Sequence, residues 1–297
     1  MIVFAELAQY VVNGLVLGAL IALPALGLTL IFSVQGFVNF SVAAQMTVGA
    51  YAAWLAGSHL GWSPLAMLFL AFAIPGLLGI VTDRIALAPI RRPSGAHTAL
   101  MLAVVSIALN LAIENALRVI FGSNLNSFDL PIERDIQVWG VSVGPQQLRN
   151  LVTALGIALA LAAFFSLTRW GKAMRAVADN TDLARLNGID PKSLSNLATF
   201  LGMGLAGIGG SLLAIDTSVD PSTGSRLLLV IFAASVLGGL TRLYGAVLGA
   251  LLIGVVGEVA LVAMPPVYQS LTAFLAILII LLVKPTGLFA GAAGGRP

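Results

Sequence analysis

The chain has 297 residues, of which 59% are hydrophobic and only 9% are charged, whereas about a quarter of the residues are charged in a soluble domain. This composition excludes a soluble globular protein and indicates an integral membrane protein. The pI near 9.6 does not indicate nucleic-acid binding, because the bases lie in short loops between apolar runs and report membrane orientation. The absence of cysteine excludes disulfides and thiolate chemistry.

The apolar runs predict an all-α, polytopic membrane protein with a single transmembrane domain over residues 1–297. The runs are too long for buried core helices and lack the period-two alternation of barrel strands, so helices are favoured. We predict about nine membrane segments, within a range of eight to ten, at residues 7–32, 41–57, 64–82, 98–121, 147–168, 195–215, 227–241, 246–264 and 267–283.

Segments 41–57 and 227–241 are short for a hydrocarbon core of about 30 Å. They lie five segments apart and therefore run in opposite directions, as an inverted-topology repeat requires. We predict that segments one to four match segments six to nine, and that the two short helices are broken or re-entrant and flank a translocation path. The alternative is that both are merely tilted little or partly buried.

The bases divide unequally between the two sides of the predicted membrane domain. Because Lys and Arg accumulate in cytoplasmic loops, this division predicts that the N-terminus is outside and the C-terminus is cytoplasmic. The cytoplasmic group comprises Arg84, Arg91, Arg92, Arg169, Lys172, Arg175, Arg185, Lys192, Arg242, Lys284 and Arg296. The outer group comprises Arg118, Arg134, Arg149 and Arg226.

The cytoplasmic loop at residues 169–192 is the one stretch in which charge is dense. Thr181 is predicted to cap a short helix over residues 182–187, with Asp182 in the first turn, where the helix dipole favours an anion. Gly188 is predicted to supply the left-handed residue that ends this helix.

Leu183 and Leu186 lie on one face of that short helix. A helix of about six residues is marginal alone in water, so we expect it to hold its shape by docking its leucines into the groove of a partner chain. The alternative is a solvated loop between membrane spans.

Glu114 is one of two acids predicted at membrane depth, where uncompensated charge costs at least about 2.5 kcal/mol. It follows Asn110 by four residues and precedes Arg118 by four, so one helix face carries all three. The spacing predicts a structural ion pair between Glu114 and Arg118.

Glu258 is the second such acid, and no base lies within helical reach of it. We predict that it lines the path or an interface; the alternative is a position near the outer leaflet. Asn39, Ser41 and Gln45 stand at the start of the first short segment, where they either bind a polar solute or cap an unwound helix end. With Asn110, these are the candidate path residues.

The sequence also limits the chemistry that the chain can perform. His59 and His97 are predicted in loops on opposite sides, so a histidine metal site is not expected. No G-x-x-x-x-G-K-[ST] motif is present, and any ATP must therefore be bound by another chain. No paired-carboxylate, Ser-His-Asp or Cys-His arrangement indicates an enzyme.

Three stretches of the chain stand out together. They are Asn13 to Ala53, which contains NGLVLGALIALPALGLTLIF, then GKAMRAVADNTDLARLNGID from Gly171, and SVLGGLTRLYGAVLGALLIGVVGE from Ser235. All three resemble one known family, the inner-membrane permeases of branched-chain amino-acid ABC importers. The likeness spans nearly the whole chain in the same order.

One motif within this resemblance bears on coupling to an ATPase. In ABC importer permeases, a cytoplasmic pattern of the type E-A-A-x-x-x-G forms a short helix that docks on the ATPase. Asp182, Leu183 and Ala184, followed by Gly188, are similar to that pattern. The resemblance therefore implies that the ATPase-coupling residues are Thr181, Asp182, Leu183, Ala184, Leu186 and Gly188.

The resemblance implies one permease subunit of a bacterial inner-membrane importer, without a cofactor of its own. Its implied partners are a second homologous permease, two ATPase subunits that hold ATP and magnesium on the cytoplasmic face, and an extracytoplasmic solute-binding protein. The implied solute is a branched-chain amino acid. Residues 39–43 depart from the family's Asn-Phe-Ala-His-Gly, so a related amide or acid is kept as an alternative solute. The alternative function is a proton-coupled secondary transporter or channel that uses Glu258 or Glu114.

Overall fold

The computed structural model describes most of the chain up to residue 262 and scattered residues beyond it. The described residues are 2–91, 97–128, 134–138, 141–262, 264–265, 271, 274–276, 278–279, 282, 284 and 288. The α-helices are α1 Ile2–Gln35, α2 Val42–Trp54, α3 Pro64–Thr82, α4 Ala88–Arg91, α5 Thr98–Phe121, α6 Pro145–Leu167, α7 Arg169–Asp179, α8 Thr181–Leu186, α9 Pro191–Asp216, α10 Thr223–Gly238 and α11 Leu243–Ala260.

Non-α elements interrupt this bundle at a few places. A π-helical turn, Leu55–His59, extends α2, and a second, Asp83–Leu87, joins α3 to α4. The strands β1 Ile136–Val138 and β2 Val141–Val143 pair as an antiparallel hairpin. The chain is therefore all-α apart from one small hairpin in the described ranges.

Six helices are long and apolar enough to cross a membrane, which confirms the predicted class of polytopic helical membrane protein. The predicted count of about nine segments is not confirmed, because this number holds only for the described residues. Segment 267–283 lies largely outside them. The six candidate spans are Glu6–Gln35, Pro64–Arg91, Thr98–Phe121, Pro145–Leu167, Pro191–Asp216 and Leu243–Ala260.

The helices α2 and α10 are short, as predicted for segments 41–57 and 227–241. They contain 13 and 16 residues. At a rise of 1.5 Å per residue they extend about 20 and 24 Å, less than the hydrocarbon core of about 30 Å. A positive φ of 96° at Gly239 ends α10, whereas α2 runs on into its π-helical turn.

The packing of the helices shows an exchange symmetry. Helices α1 and α9 contact each other; α1 also packs on α11, and α9 packs on α3. The short helices follow the same rule, since α2 packs on α3 and α10 packs on α11. Exchanging α1–α3 with α9–α11 preserves these contacts, whereas the inverted repeat itself stays a prediction.

Glycines let these helices approach at backbone distance. A Cβ added at Gly210 would overlap the carbonyl oxygen of Met46 in α2, and one added at Gly207 would overlap the carbonyl of Ala71 in α3. Apolar lipid provides no hydrophobic force between helices, so close backbone contact is what holds them together. The centre of the protein is consequently a rigid contact of α2, α3 and α9.

Hydrogen bonds between distant segments define the two ends of the bundle. At one end, Gln9 near the start of α1 bonds to the backbone N and O of Ser142 in β2, at 2.8 and 2.9 Å. Asn126, which follows α5, and Val219, which follows α9, form an antiparallel pair of backbone hydrogen bonds. The loop at residues 169–192 lies at the other end, where Gln35 at the end of α1 bonds to Ser195 near the start of α9.

Candidate functional site

The loop between α6 and α9 folds into two helices, of which α8 is the short helix that was predicted. Its cap differs from the prediction. Asn180, not Thr181, is the N-cap: its Oδ1 accepts from the N–H groups of Asp182 and Leu183 at 3.1 and 2.9 Å. Asn180 has an extended backbone, whereas Thr181 is already helical and donates its hydroxyl to the Val177 carbonyl at 3.2 Å.

The C-terminal end of α8 agrees with the prediction. Gly188 has a φ of +79°, the left-handed conformation that glycine adopts without strain. The N–H of Ile189 then donates back to the carbonyl of Ala184 at 3.1 Å. Both ends of α8 are therefore satisfied by the loop itself.

Helix α8 is anchored on one face and open on the other. Ala184 is buried in the same apolar core as Met174 of α7 and Leu194 of α9. Leu183 and Leu186 are 58% and 85% exposed. The loop thus presents two exposed leucines on a short helix whose opposite face is fixed to the bundle.

Polar groups at the base of this loop form a network that the sequence did not predict. Arg91 lies 2.5 Å from the carboxylate of Asp83, and its guanidinium also donates to Gln35 Oε1 and Ser195 Oγ at 3.2 and 3.3 Å. Gln35 in turn donates to Ser195 and Thr199 at 2.9 and 2.8 Å. The network ties the end of α1 and the helical turns before Arg91 to the start of α9.

Asp83 is the component of this network that sequence reasoning missed. Its side chain is 4% exposed, so it is a buried acid that is not among the two predicted at membrane depth. It stands at the end of an apolar run and directly before Arg84, and this position resembles an ordinary loop charge. The signal that could have found it is a base eight residues later, beyond normal helical reach.

The candidate path residues at the start of α2 are fully buried. Asn39 Oδ1 accepts from the backbone N and the hydroxyl of Ser41 at 3.1 and 2.7 Å, so Asn39 and Ser41 order the turn before α2. Within the described residues, neither amide atom of Gln45 finds a hydrogen-bond partner. A buried amide costs free energy unless it is paired, so Gln45 remains the best candidate here for contact with a solute or water.

The predicted ion pair is present in α5. Arg118 Nη2 lies 2.5 Å from Glu114 Oε1. Ser225 of α10 donates its hydroxyl to the other carboxylate oxygen and accepts from Asn110 Nδ2 at 2.9 Å. Asn110 and Glu114 thus join α5 to α10 through Ser225, a residue that sequence reasoning missed because it lies 111 positions away.

Glu258 lies in the last turn of α11 and is partly exposed. One turn earlier, Gly254 packs against the backbone of Gly14 in α1. Gln9, which bonds to the β hairpin, lies a little more than one turn before Gly14. This location near the end of the bundle favours the interfacial alternative for Glu258 over a position at mid-membrane.

The loop between α9 and α10 contains a carboxyl whose pKa is shifted. Burial raises the pKa of Asp220, but hydrogen bonds from Ser222 and the charge of Arg226 outweigh that effect and lower it overall. A lowered pKa means that the folded state favours the ionised carboxylate. This stabilisation is present above the unfolded pKa and is lost as the pH falls through the folded one.

Among the described residues, no group of three or more His, Cys, Asp or Glu side chains lies where it could hold a metal ion. The fold and the loop together define a polytopic helical membrane protein that exposes two leucines of a short, capped helix at one end of its bundle.

Comparison with known proteins identifies the family. Residues 10–283 match the family described as "Branched-chain amino acid transport system / permease component", and the chain belongs to it. This confirms the resemblance seen in the sequence. Similar relatives are permease BraD of Pseudomonas aeruginosa, 29% identical over 97% of this chain and 96% of that protein, and LivH of Escherichia coli K12, 27% identical over 99% and 97%. A probable LivH of Methanocaldococcus jannaschii is 31% identical over 80% and 75%.

Proposed function

We propose that the chain is the permease subunit of an ABC importer, which moves a small polar solute into the cytoplasm and is not itself an enzyme. The solute class is a branched-chain amino acid or a related amide or acid, as the relatives' names suggest. ATP and magnesium are held by partner ATPase subunits. The observation that carries the proposal is α8, whose exposed Leu183 and Leu186 stand on a helix capped at both ends.

The mechanism follows from what α8 is attached to. When the ATPases close, they push on α8, and the buried Ala184 passes the push to α7 and α9. Helix α9 starts only a few residues later and packs on α1, α2 and α3, so its displacement moves the centre of the bundle. ATP binding shifts the equilibrium because the docked contacts differ between the inward-open and outward-open states.

Replacing Leu183 or Leu186 with Asp is expected to abolish ATPase docking. Each change removes an apolar contact worth about 1.5–3 kcal/mol and places a charge in the interface, so affinity should fall at least about 100-fold. The measurement is copurification of ATPase activity with the tagged permease from membranes, together with solute uptake. Leu186→Met retains an apolar contact and serves as the control.

Wild-type copurification and uptake in both Asp variants would contradict the docking role.

The rival function, a proton-coupled carrier, requires a carboxylate that gains and loses a proton. Glu114 is held by Arg118 and Ser225, which disfavours that role. Uptake that survives ATP depletion and collapses with a protonophore would replace the importer proposal.

The proposal also includes the partners and the orientation: a second homologous permease, two ATPases on the loop side, and a solute-binding protein on the opposite side, in a bacterial inner membrane. The N-terminus is outside and the C-terminus cytoplasmic. Support comes from the excess of bases on the loop side.

Two single-cysteine variants should report opposite sides of the membrane. Ser123 follows α5 and Ser193 lies in the first turn of α9, and both are exposed. The natural chain has no cysteine, so each variant has one thiol. In intact cells, an impermeant thiol reagent is expected to label Ser123→Cys and to label Ser193→Cys only after permeabilisation. The reverse pattern would invert the orientation.

A further inference from the structure

A cavity of about 560 Å³ lies beneath the loop helix. It is bounded by α8, the first turn of α9, the end of α1 at Gln35, and the helical turns from Asp83 to Arg91. The cavity is therefore closed on one side by the element proposed to couple to ATP hydrolysis. Its walls come from four separate parts of the chain.

The lining of this cavity is strongly cationic. Arg84, Arg91, Arg185 and Lys192 line it, and Asp83 is the one acid among its lining residues. Asp83 is already paired with Arg91. Among the described residues, the side chains of Arg84 and Lys192 have no ion-pair or hydrogen-bond partner. The cavity consequently holds positive charge that no ion pair among the described residues neutralises.

Arg185 also adds to this positive potential. Its ion pair among the described residues is a long, exposed one with Asp182, at 3.6 Å, which contributes little. The N-terminus of α9, a helix of 26 residues, opens at Pro191 on the cavity wall, but the carboxylate of Asp190 accepts hydrogen bonds from the backbone N–H groups of Lys192 and Ser193 and offsets the helix dipole there. An anion inside would meet guanidinium and ammonium groups from three sides.

The position of the cavity indicates where such an anion comes from. Three candidate spans end or begin at its walls, at Gln35, Arg91 and Pro191. The ends of membrane-spanning helices lie at the level of lipid headgroups. Basic pockets between spanning helices at this depth are suited to anionic phospholipids.

We propose that this cavity binds a phosphate group, supplied by the headgroup of an anionic phospholipid. Arg84 holds it from the turn after α3, Lys192 from α9 and Arg185 from α8. The bound phosphate bridges the docking helix to the body of the protein, so the membrane's anionic lipid content sets how firmly α8 is held. This site does not depend on ATPase docking.

The test uses the purified full chain in zwitterionic detergent. Its unfolding midpoint is measured during titration with dihexanoyl phosphatidylglycerol, with dihexanoyl phosphatidylcholine, and with sodium phosphate at constant ionic strength. The double variant Arg84→Gln/Lys192→Gln removes two charges from the cavity. Arg169→Gln/Lys172→Gln removes the same charge from exposed positions of α7 that do not line it.

Phosphatidylglycerol is expected to raise the midpoint saturably, whereas phosphatidylcholine does not. Each lost base near the membrane surface should weaken binding about fivefold, so the cavity variant should bind roughly 30-fold more weakly, and the α7 variant less than about twofold more weakly. Sodium phosphate that binds as tightly, with the same dependence on the variants, would keep the site and make a free anion its ligand.

The proposal is overturned if neither phosphate source binds saturably, if phosphatidylcholine matches phosphatidylglycerol, or if the two double variants respond alike. If the cavity variant does not fold, the exposed single variant Lys192→Gln is compared with Lys172→Gln. ATPase copurification is recorded in parallel. Loss of lipid binding with intact copurification would separate this site from the docking proposal.

Discussion

Gly210→Ala is expected to lower the free energy of unfolding by about 3 kcal/mol and to abolish uptake. The new methyl group would occupy the position of the Met46 carbonyl oxygen, which belongs to the backbone of α2 and cannot rotate away. Helices α2 and α9 would therefore have to separate along their contact, and overpacking of this kind costs about 1–3 kcal/mol or more. The loss exceeds the gain of about 1 kcal/mol that alanine brings to a helix.

The measurement is the unfolding midpoint in detergent, with uptake by intact cells. Gly156→Ala is the matched control, since Gly156 also lies within a helix and a Cβ there would meet no atom within 4 Å. This control should be as stable as the natural protein or slightly more stable. Equal midpoints for the two variants would show that the close contact of α2 with α9 is not needed for stability.

Arg91→Leu is expected to lower the free energy of unfolding by about 3–5 kcal/mol, because it leaves the carboxylate of Asp83 buried and separated from its counter-charge. It also removes donors to Gln35 and Ser195, so the end of α1 loses its tie to α9. The expected result is a large fall in the unfolding midpoint.

The double variant Asp83→Leu/Arg91→Leu separates the charge effect from the loss of packing. It removes both ions and should recover at least half of the lost stability. Arg84→Leu, which removes a neighbouring base without an ion pair, is the control and should change stability by less than about 0.5 kcal/mol. Little change in Arg91→Leu itself would contradict the role given to the network.

The features that could be predicted from the sequence are those in which the interacting residues belong to the same helix or turn. The pair of Glu114 with Arg118 follows from an i,i+4 spacing, and the left-handed Gly188 follows from local backbone sterics. The cap of α8 marks the limit of such reasoning. Asn180 and Thr181 are adjacent and both can cap, so only the backbone conformation decides between them.

Two of the contacts that sequence reasoning missed depend on which helices become neighbours. Ser225 meets Glu114 only because α10 packs on α5, and Gln35 meets Ser195 only because α1 ends beside the start of α9. Nothing in the local pattern around these serines distinguishes them from the other small polar residues of membrane helices. Their partners follow from which helices pack together in the bundle, and single-chain periodicity does not reveal that.

The π-helical turn Asp83–Leu87 acts as a one-residue insertion in the span that it interrupts. In an uninterrupted α-helix, residues eight apart are rotated by about 80° beyond two full turns, so Arg91 would point away from Asp83. Absorbing one residue into the wider turn reduces this offset to about 20° and brings the guanidinium back over the carboxylate. Deleting a single residue such as Ala86 would place the two residues seven apart in an uninterrupted α-helix, with the same offset of about 20°, so the ion pair is expected to survive the loss of the wider turn.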